Sequence, residues 1–394
     1  MTILSQIAIA FFGLAIAGYM SKLLKSFKPP FYILVGIILG PMVLGWIDAQ
    51  EIFEVLGDIG LVFLLFYLGY EFSLNKLVKK KKILGFAGLI DFVINFSLAF
   101  LLGLLLDLSI FYTIVFAGML YMSSSSIITK SLIQLGAIKK EEGEVVMGIM
   151  IFEDLVMIVF LVVIQSIVNN ASFEFLAISK DIGLALAFAL IVLYLGKKYT
   201  PFIDKLIGQK SHELAHLGFI AFIFAGVVIG VFFGVSEALS AFLLGLIVSE
   251  AKQKAKMEEV VLKFRDIFGS LFFLYFGMSF SFETLNIPVY IIVLISVIAI
   301  VGKLISGLFM QWIQGCDFDG GLFVGIITIP RGEFSLIIAG IVAIERPEFL
   351  NVAVIIILVT SFMTTIIFYL LNLLCKHREV CMLSNKFLES SDSM

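Results

Sequence analysis

The chain is a succession of continuous apolar runs, most of them long enough to cross a lipid bilayer. A helix needs about 20 apolar residues to span the hydrocarbon core. In hydrocarbon every backbone N–H and C=O has to be satisfied within a helix or a closed barrel. The runs do not alternate polar and apolar residues, which excludes a barrel. They predict an all-α polytopic membrane protein with 13 transmembrane helices, at roughly 4–24, 31–46, 53–71, 83–106, 110–135, 143–168, 182–199, 212–233, 236–250, 266–282, 287–313, 320–344 and 349–374. The run 31–46 is short, and Gly40-Pro41 interrupts it.

Composition agrees. Of 394 residues 61% are apolar and 14% charged, against about 25% charged in soluble domains. A soluble enzyme, a nucleic-acid binder and a secreted disulfide scaffold are excluded on that ground. A net charge of −3 gives no reason to expect a polyanionic partner. Cys316, Cys375 and Cys381 are too few and too scattered for a disulfide framework or a metal cluster. The first lysine, Lys22, follows the first apolar run, so that run does not read as a signal peptide.

Lysine and arginine set the orientation. With the N-terminus outside, the inner loops hold Lys22, Lys25 and Lys28; Lys76 and Lys79–Lys82; Lys130, Lys139 and Lys140; Lys197, Lys198, Lys205 and Lys210; Lys252, Lys254, Lys256, Lys263 and Arg265; and Lys376, Arg378 and Lys386. Only Lys180 and Arg346 fall outside, and Lys303 and Arg331 lie within spans. Such a bias predicts a multi-pass protein of a plasma (inner) membrane with a cytoplasmic C-terminus. Residues 251–265, basic with apolar residues interleaved, read as a cytoplasmic interfacial helix or a solvated connector. The stretch after span 13 is a short polar tail, 376–394, with no soluble domain expected.

Two spans are broken. Ser123-Ser124-Ser125-Ser126 interrupts span 5, and Thr328-Ile329-Pro330-Arg331-Gly332 interrupts span 12. Spans 2–6 and 9–13 form five-helix blocks that enter the membrane from opposite sides. Broken helices at matching places in inverted repeats point to a transport site.

Charges inside spans are costly, about 2.5–3.5 kcal/mol each at the bilayer centre. Glu153 and Asp154 lie about ten residues into span 6, roughly 15 Å deep at 1.5 Å per residue. Lys303, deep in span 11, needs an anionic partner or must lose its proton, and Glu153 and Asp154 are the candidates. Adjacent helical residues diverge by about 100°, so one acid pairs with Lys303 while the other faces a water-filled cavity. There it holds a proton or a small cation, but not both, which is the minimal chemistry of an antiporter. Arg331 and Glu333 flank the second break and can neutralise its half-helix dipole ends. Ser124, Ser125 and Ser126 offer hydroxyls and exposed carbonyls suited to Na⁺ or K⁺, or else serve helix packing. Asp91 and Asn95, one turn apart on span 4, either line the same polar face or pair with a neighbouring span. His212 and His216 share a helix face, but no third metal ligand is evident; no resident metal or other cofactor is expected. His377 lies in the tail.

Taken together, LGDIGLVFLLFYLGYEF (57–72), SSSSIITKSLIQLGAI (123–138), MIFEDLVMI (150–158), LFFLYFGMSF (271–280), VGKLISG (301–307) and PRGEFSLIIAG (330–340) resemble the cation:proton antiporter superfamily. The nearest branch holds NapA-type Na⁺/H⁺ antiporters and the membrane parts of Kef-type K⁺/H⁺ systems. The resemblance implies an NhaA/NapA-like fold and an elevator-type homodimer in a lipid bilayer. It implies a scaffold from 1–78 and 211–284, a moving core from 79–169 and 285–375, and a linker helix at 181–200. Asp154 matches the family's essential ion-binding carboxylate. Glu153 stands where many electrogenic members carry Asp, and where other, largely electroneutral members carry Asn or Gln. Lys303 matches the core lysine that pairs with that first acid, and Arg331 and Glu333 match the broken-helix charges. Kef-type proteins carry a cytoplasmic nucleotide-binding domain, and gating by one is not expected here.

The reading is electrogenic exchange of Na⁺ or Li⁺ for H⁺, with K⁺/H⁺ exchange on the same fold as the alternative and a cation channel behind both. An organic-anion symporter fits an acidic site poorly. An intramembrane aspartyl protease needs two facing carboxylates from different helices, which neighbours on one helix cannot supply.

Overall fold

The structure is a computed structural model that describes residues 1–24, 26–48, 50–71, 74–135, 137, 140–170, 183, 212–233, 235–249, 251, 255–283, 287–314 and 318–375. All regular structure among these residues is helical. The helices are α1 (Ile3–Leu23), α2 (Lys28–Leu39), α3 (Gln50–Glu71), α4 (Leu74–Leu105), α5 (Ile110–Tyr121), α6 (Ser125–Gln134), α7 (Glu141–Asn170), α8 (His212–Phe232), α9 (Glu237–Ser249), α10 (Ala255–Met278), α11 (Val289–Gln314), α12 (Phe318–Ile327), α13 (Glu333–Val342) and α14 (Pro347–Cys375). Among the described residues, 7 helices are long and apolar enough to cross a membrane, accompanied by shorter apolar helices such as α2, α5, α9, α12 and α13. Apart from residue 183, the expected linker span at 182–199 lies outside the described residues, as does the tail at 376–394.

Three expected boundaries differ. α2 ends at Leu39, before Gly40-Pro41, rather than at 46, and α4 begins at Leu74 rather than 83. Residues 255–265 do not form a separate interfacial helix: α10 runs unbroken from Ala255 to Met278. Nothing between Ala255 and Arg265 breaks a helix, so the basic stretch continues the span that follows it.

The chain forms two compact units. The first comprises residues 1–6, 47–79 and 158–275, and the second residues 7–46, 80–157 and 276–394. In the first unit α3 and α9 lie backbone to backbone. A Cβ on Gly69 would stand 2.0 Å from the Phe242 carbonyl oxygen, and one on Gly245 2.0 Å from that of Phe66. Only glycine permits so close an approach, which in lipid gains dispersion contact where no hydrophobic effect operates. Around this seam Phe63 stacks on Phe264 at 5.1 Å and meets Phe224 edge-on at 5.9 Å, and Phe66 meets Phe219 at 5.7 Å.

The second unit holds both broken helix pairs. Its dry floor is built by Ala87 of α4, Ile128 and Leu132 of α6, Val146 and Ile149 of α7, Met310 of α11, and Val324 and Ile327 of α12. Here too glycines bring backbones together. A Cβ on Gly307 of α11 would lie 2.4 Å from the Gly325 amide nitrogen, and one on Gly325 2.9 Å from the Lys303 carbonyl oxygen. α12 is thereby laid directly against the turn of α11 that carries Lys303.

Candidate functional site

The site is assembled where two helices stop and restart. α5 ends at Tyr121, and Met122 takes an extended conformation (φ −68°, ψ 122°); α6 begins at Ser125. α12 ends at Ile327, and Pro330, with no N–H, prevents its continuation; α13 begins at Glu333. The two breaks meet: the Ser124 N–H donates to the Pro330 carbonyl at 2.8 Å, and the Ser123 hydroxyl to that of Thr328 at 3.0 Å.

Each break leaves unpaired carbonyls at one half-helix end and unpaired amides at the other. Arg331 answers the carbonyls. Its Nε donates to Leu120 at 2.6 Å, its Nη1 to Thr328 and Ile329 at 3.2 and 2.7 Å, and its Nη2 to Ala299 of α11 at 3.0 Å. Its own N–H donates to Thr360 Oγ1 of α14 at 3.1 Å. One guanidinium therefore caps the C-terminal ends of both α5 and α12, using the fixed fork of donors that lysine lacks. Glu333 opens α13, where the helix dipole favours an anion, and accepts the Ser124 hydroxyl at 3.2 Å.

The acids of α7 face the serine break. Glu153 Oε2 accepts the Ser123 N–H at 2.7 Å and Oε1 accepts the Ser123 hydroxyl at 2.9 Å. Asp154 Oδ1 accepts the hydroxyl of Ser125, the first residue of α6, at 3.1 Å. Lys303 Nζ lies 2.6 Å from Glu153 Oε1 and 2.7 Å from Asp91 Oδ2, and 5.1 Å from the Tyr121 ring centroid. Asp91 Oδ1 accepts the Ser306 hydroxyl at 2.7 Å and the Asn95 amide at 2.9 Å.

Of the carboxylates weighed for Lys303, the structure thus gives Glu153. It adds Asp91, a partner that span order alone does not reveal. Asp154 takes a serine instead. Asn95 pairs with Asp91 on its own helix. The Ser126 and His212 side chains lie outside the described ones. Sequence reading passed over Tyr121, Thr360 and Ser306, and counted Ser123 and Thr328 only as parts of the runs that break the spans. For Ser306 a signal existed, since it stands one turn after Lys303.

Among the described residues, the buried charged side chains are Asp91, Glu153, Asp154, Glu333, Lys303 and Arg331, at 0, 1, 5, 7, 0 and 0% exposure. Four acids face two bases. Burying unbalanced charge is strongly unfavourable, so this cluster calls for positive charge beyond the two bases.

Known proteins converge on the same chemistry. The profile of the family described as "Sodium/hydrogen exchanger, transmembrane" matches residues 7–372. The K(+)/H(+) antiporter subunit KhtU of Bacillus subtilis is 33% identical over 347 residues, covering 85% of each chain. The ammonium/H(+) antiporter subunit AmhT of Alkalihalophilus pseudofirmus is 30% identical over 335 residues, 84% of each chain. The structure of the sodium proton antiporter MjNhaP1 from Methanocaldococcus jannaschii at pH 8 superposes with a TM-score of 0.72 at 18% identity. It covers 93% of this chain and 99% of its own, which establishes the fold. The chain belongs to the transmembrane sodium/hydrogen exchanger family: it is a multi-pass cation/proton antiporter, not an enzyme.

Proposed function

We propose that a monovalent cation and a proton compete for Asp154, with the Ser125 hydroxyl as a further oxygen ligand, and that Glu153 and Lys303 form the exchangeable pair beside them. The observation that carries this reading is the charge imbalance of four buried acids against two buried bases. Arg331 is occupied by backbone carbonyls, so the exchange falls to the α7 acids and Lys303. A proton or a cation at Asp154 neutralises the same charge, and that exclusivity couples the two fluxes.

Na⁺ and K⁺ are the cations to test first. The family description names sodium, whereas KhtU is named for K⁺ and AmhT for ammonium. Glu153 with Lys303 supplies a second titrating pair, and exchange is electrogenic in this reading. Alternating access is elevator-like in a homodimer, with 79–169 and 285–375 as the core, 1–78 and 211–284 as the scaffold and 181–200 as the linker. The protein sits in a prokaryotic plasma membrane, N-terminus outside and C-terminus in the cytoplasm.

The test is reconstitution into liposomes with an internal pH dye, pulsed with Na⁺, Li⁺, K⁺ or ammonium at free and clamped potential. Saturable, cation-evoked proton flux that vanishes in a folded Asp154→Asn variant is the expected result. Retained flux with unchanged cation affinity would remove Asp154 from the mechanism. Flux indifferent to the clamp would make the exchange electroneutral.

A further inference from the structure

Lys303 has three N–H donors. Its ammonium is bonded to Glu153 and Asp91 and lies against the Tyr121 ring, within the distance at which a ring face attracts a cation. The two carboxylates are held differently. The other bonds of Glu153 come from Ser123, in the helix break, and Glu153 adjoins Asp154. The other bonds of Asp91 come from Ser306 on α11 and Asn95 on α4. α4 and α11 are close there: a Cβ on Gly302 would stand 2.6 Å from Asn95 Oδ1. Asp91 and Lys303 therefore make a rung between two unbroken helices, in which Asp91 takes its bonds from α4 and α11.

We infer that Asp91 is a positioning residue of the transport site, a second counter-ion that holds the Lys303 ammonium between α4 and α11 while Glu153 turns to the transported cation. This rests on the reading of Asp154 as carrier. A buried lysine stripped of its last carboxylate is strongly unfavourable, so with Glu153 alone an arriving cation would have to take that acid from Lys303 at full cost. Asp91 leaves the lysine compensated in both states. It touches neither cation nor proton; it lowers the cost of releasing Glu153.

The test is proton flux against cation concentration for the full chain in liposomes, with Asp91→Asn, Asp91→Glu, Ser306→Ala and Asp154→Asn side by side. Asp91→Asn is expected to raise the cation KM about ten-fold, the scale of a lost bond to a charged group, with the maximal rate within about two-fold. Asp91→Glu brings the KM back toward the parent value. Ser306→Ala, which removes one donor to Asp91 and no charge, raises it about two- to three-fold. A folded Asp91→Asn protein with the parent KM would overturn the inference. So would an equal loss of maximal rate in both Asp91 variants at constant KM, the mark of a purely structural role. Should Asp91→Asn fail to fold, Ser306→Ala decides: a raised KM supports the inference and an unchanged curve overturns it. Flux retained in Asp154→Asn defeats the carrier reading itself, whereas a silent Asp154→Asn beside an unaltered KM in Asp91→Asn defeats only the role of Asp91.

Discussion

Between α5 and α6 the chain leaves the helix through Met122, Ser123 and Ser124; between α12 and α13 it does so through Thr328, Ile329, Pro330, Arg331 and Gly332. Both breaks expose half-helix ends at the same place, and one guanidinium bonds carbonyls at the C-terminal end of each. Those acceptors have no alternative state, so Arg331 is a permanent part of the frame. Only the first break also meets the acids of α7, through Ser123 to Glu153 and Ser125 to Asp154. Carboxylates can change partner when a proton or a cation arrives. One set of bonds is therefore fixed and the other able to change partner, and in the function proposed above that asymmetry is where the ion acts.

Substitutions that separate stability from ion dependence test this contrast. The largest effect is expected for Arg331→Ala, which leaves the buried Leu120 and Ile329 carbonyls without a donor. At about 1–3 kcal/mol for each unsatisfied group, the loss is about 2–6 kcal/mol. Thermal melting in detergent reads it, and Arg331→Lys should recover part, since an ammonium keeps three of the five donors. Next comes Ser123→Ala. The Ser123 N–H still serves Glu153, so melting should shift by less than about 1.5 kcal/mol while the cation KM changes about ten-fold. The smallest effect is expected for Ser125→Ala, which removes one hydroxyl from Asp154: about a three-fold change in cation KM, with melting unaltered. An Arg331→Ala protein that melts like the parent would break the comparison. A Ser123→Ala protein as unstable as that arginine variant would break it from the other side.

The parts legible in the sequence are those where an apolar run is violated. Glu153, Asp154, Lys303, Arg331 and the two break motifs stand out because hydrocarbon penalises them wherever they end up. The helix ends at Leu39, before Gly40-Pro41, and at Ile327, before Pro330, follow from backbone chemistry that no tertiary contact can override. What stayed hidden is pairing across elements. Lys303 and Asp91 are 212 residues apart, and nothing in either segment names the other. Ser123 looked like one hydroxyl among four; only the angle at which α7 passes the break gives it both oxygens of Glu153. The join of the basic stretch at 255–265 to the following span was missed because charge was read as a boundary, although a helix ends on caps and breakers rather than on polarity.

The glycine at 325 carries a last consequence. Its missing side chain lets α12 rest on the carbonyl of Lys303 itself, so the half-helix and the lysine share a bearing surface one backbone thick. A methyl group at 325 would press on the backbone of Lys303 and Leu304, so a change of volume alone, with no change of charge, would reach the helix turn that carries the buried ammonium.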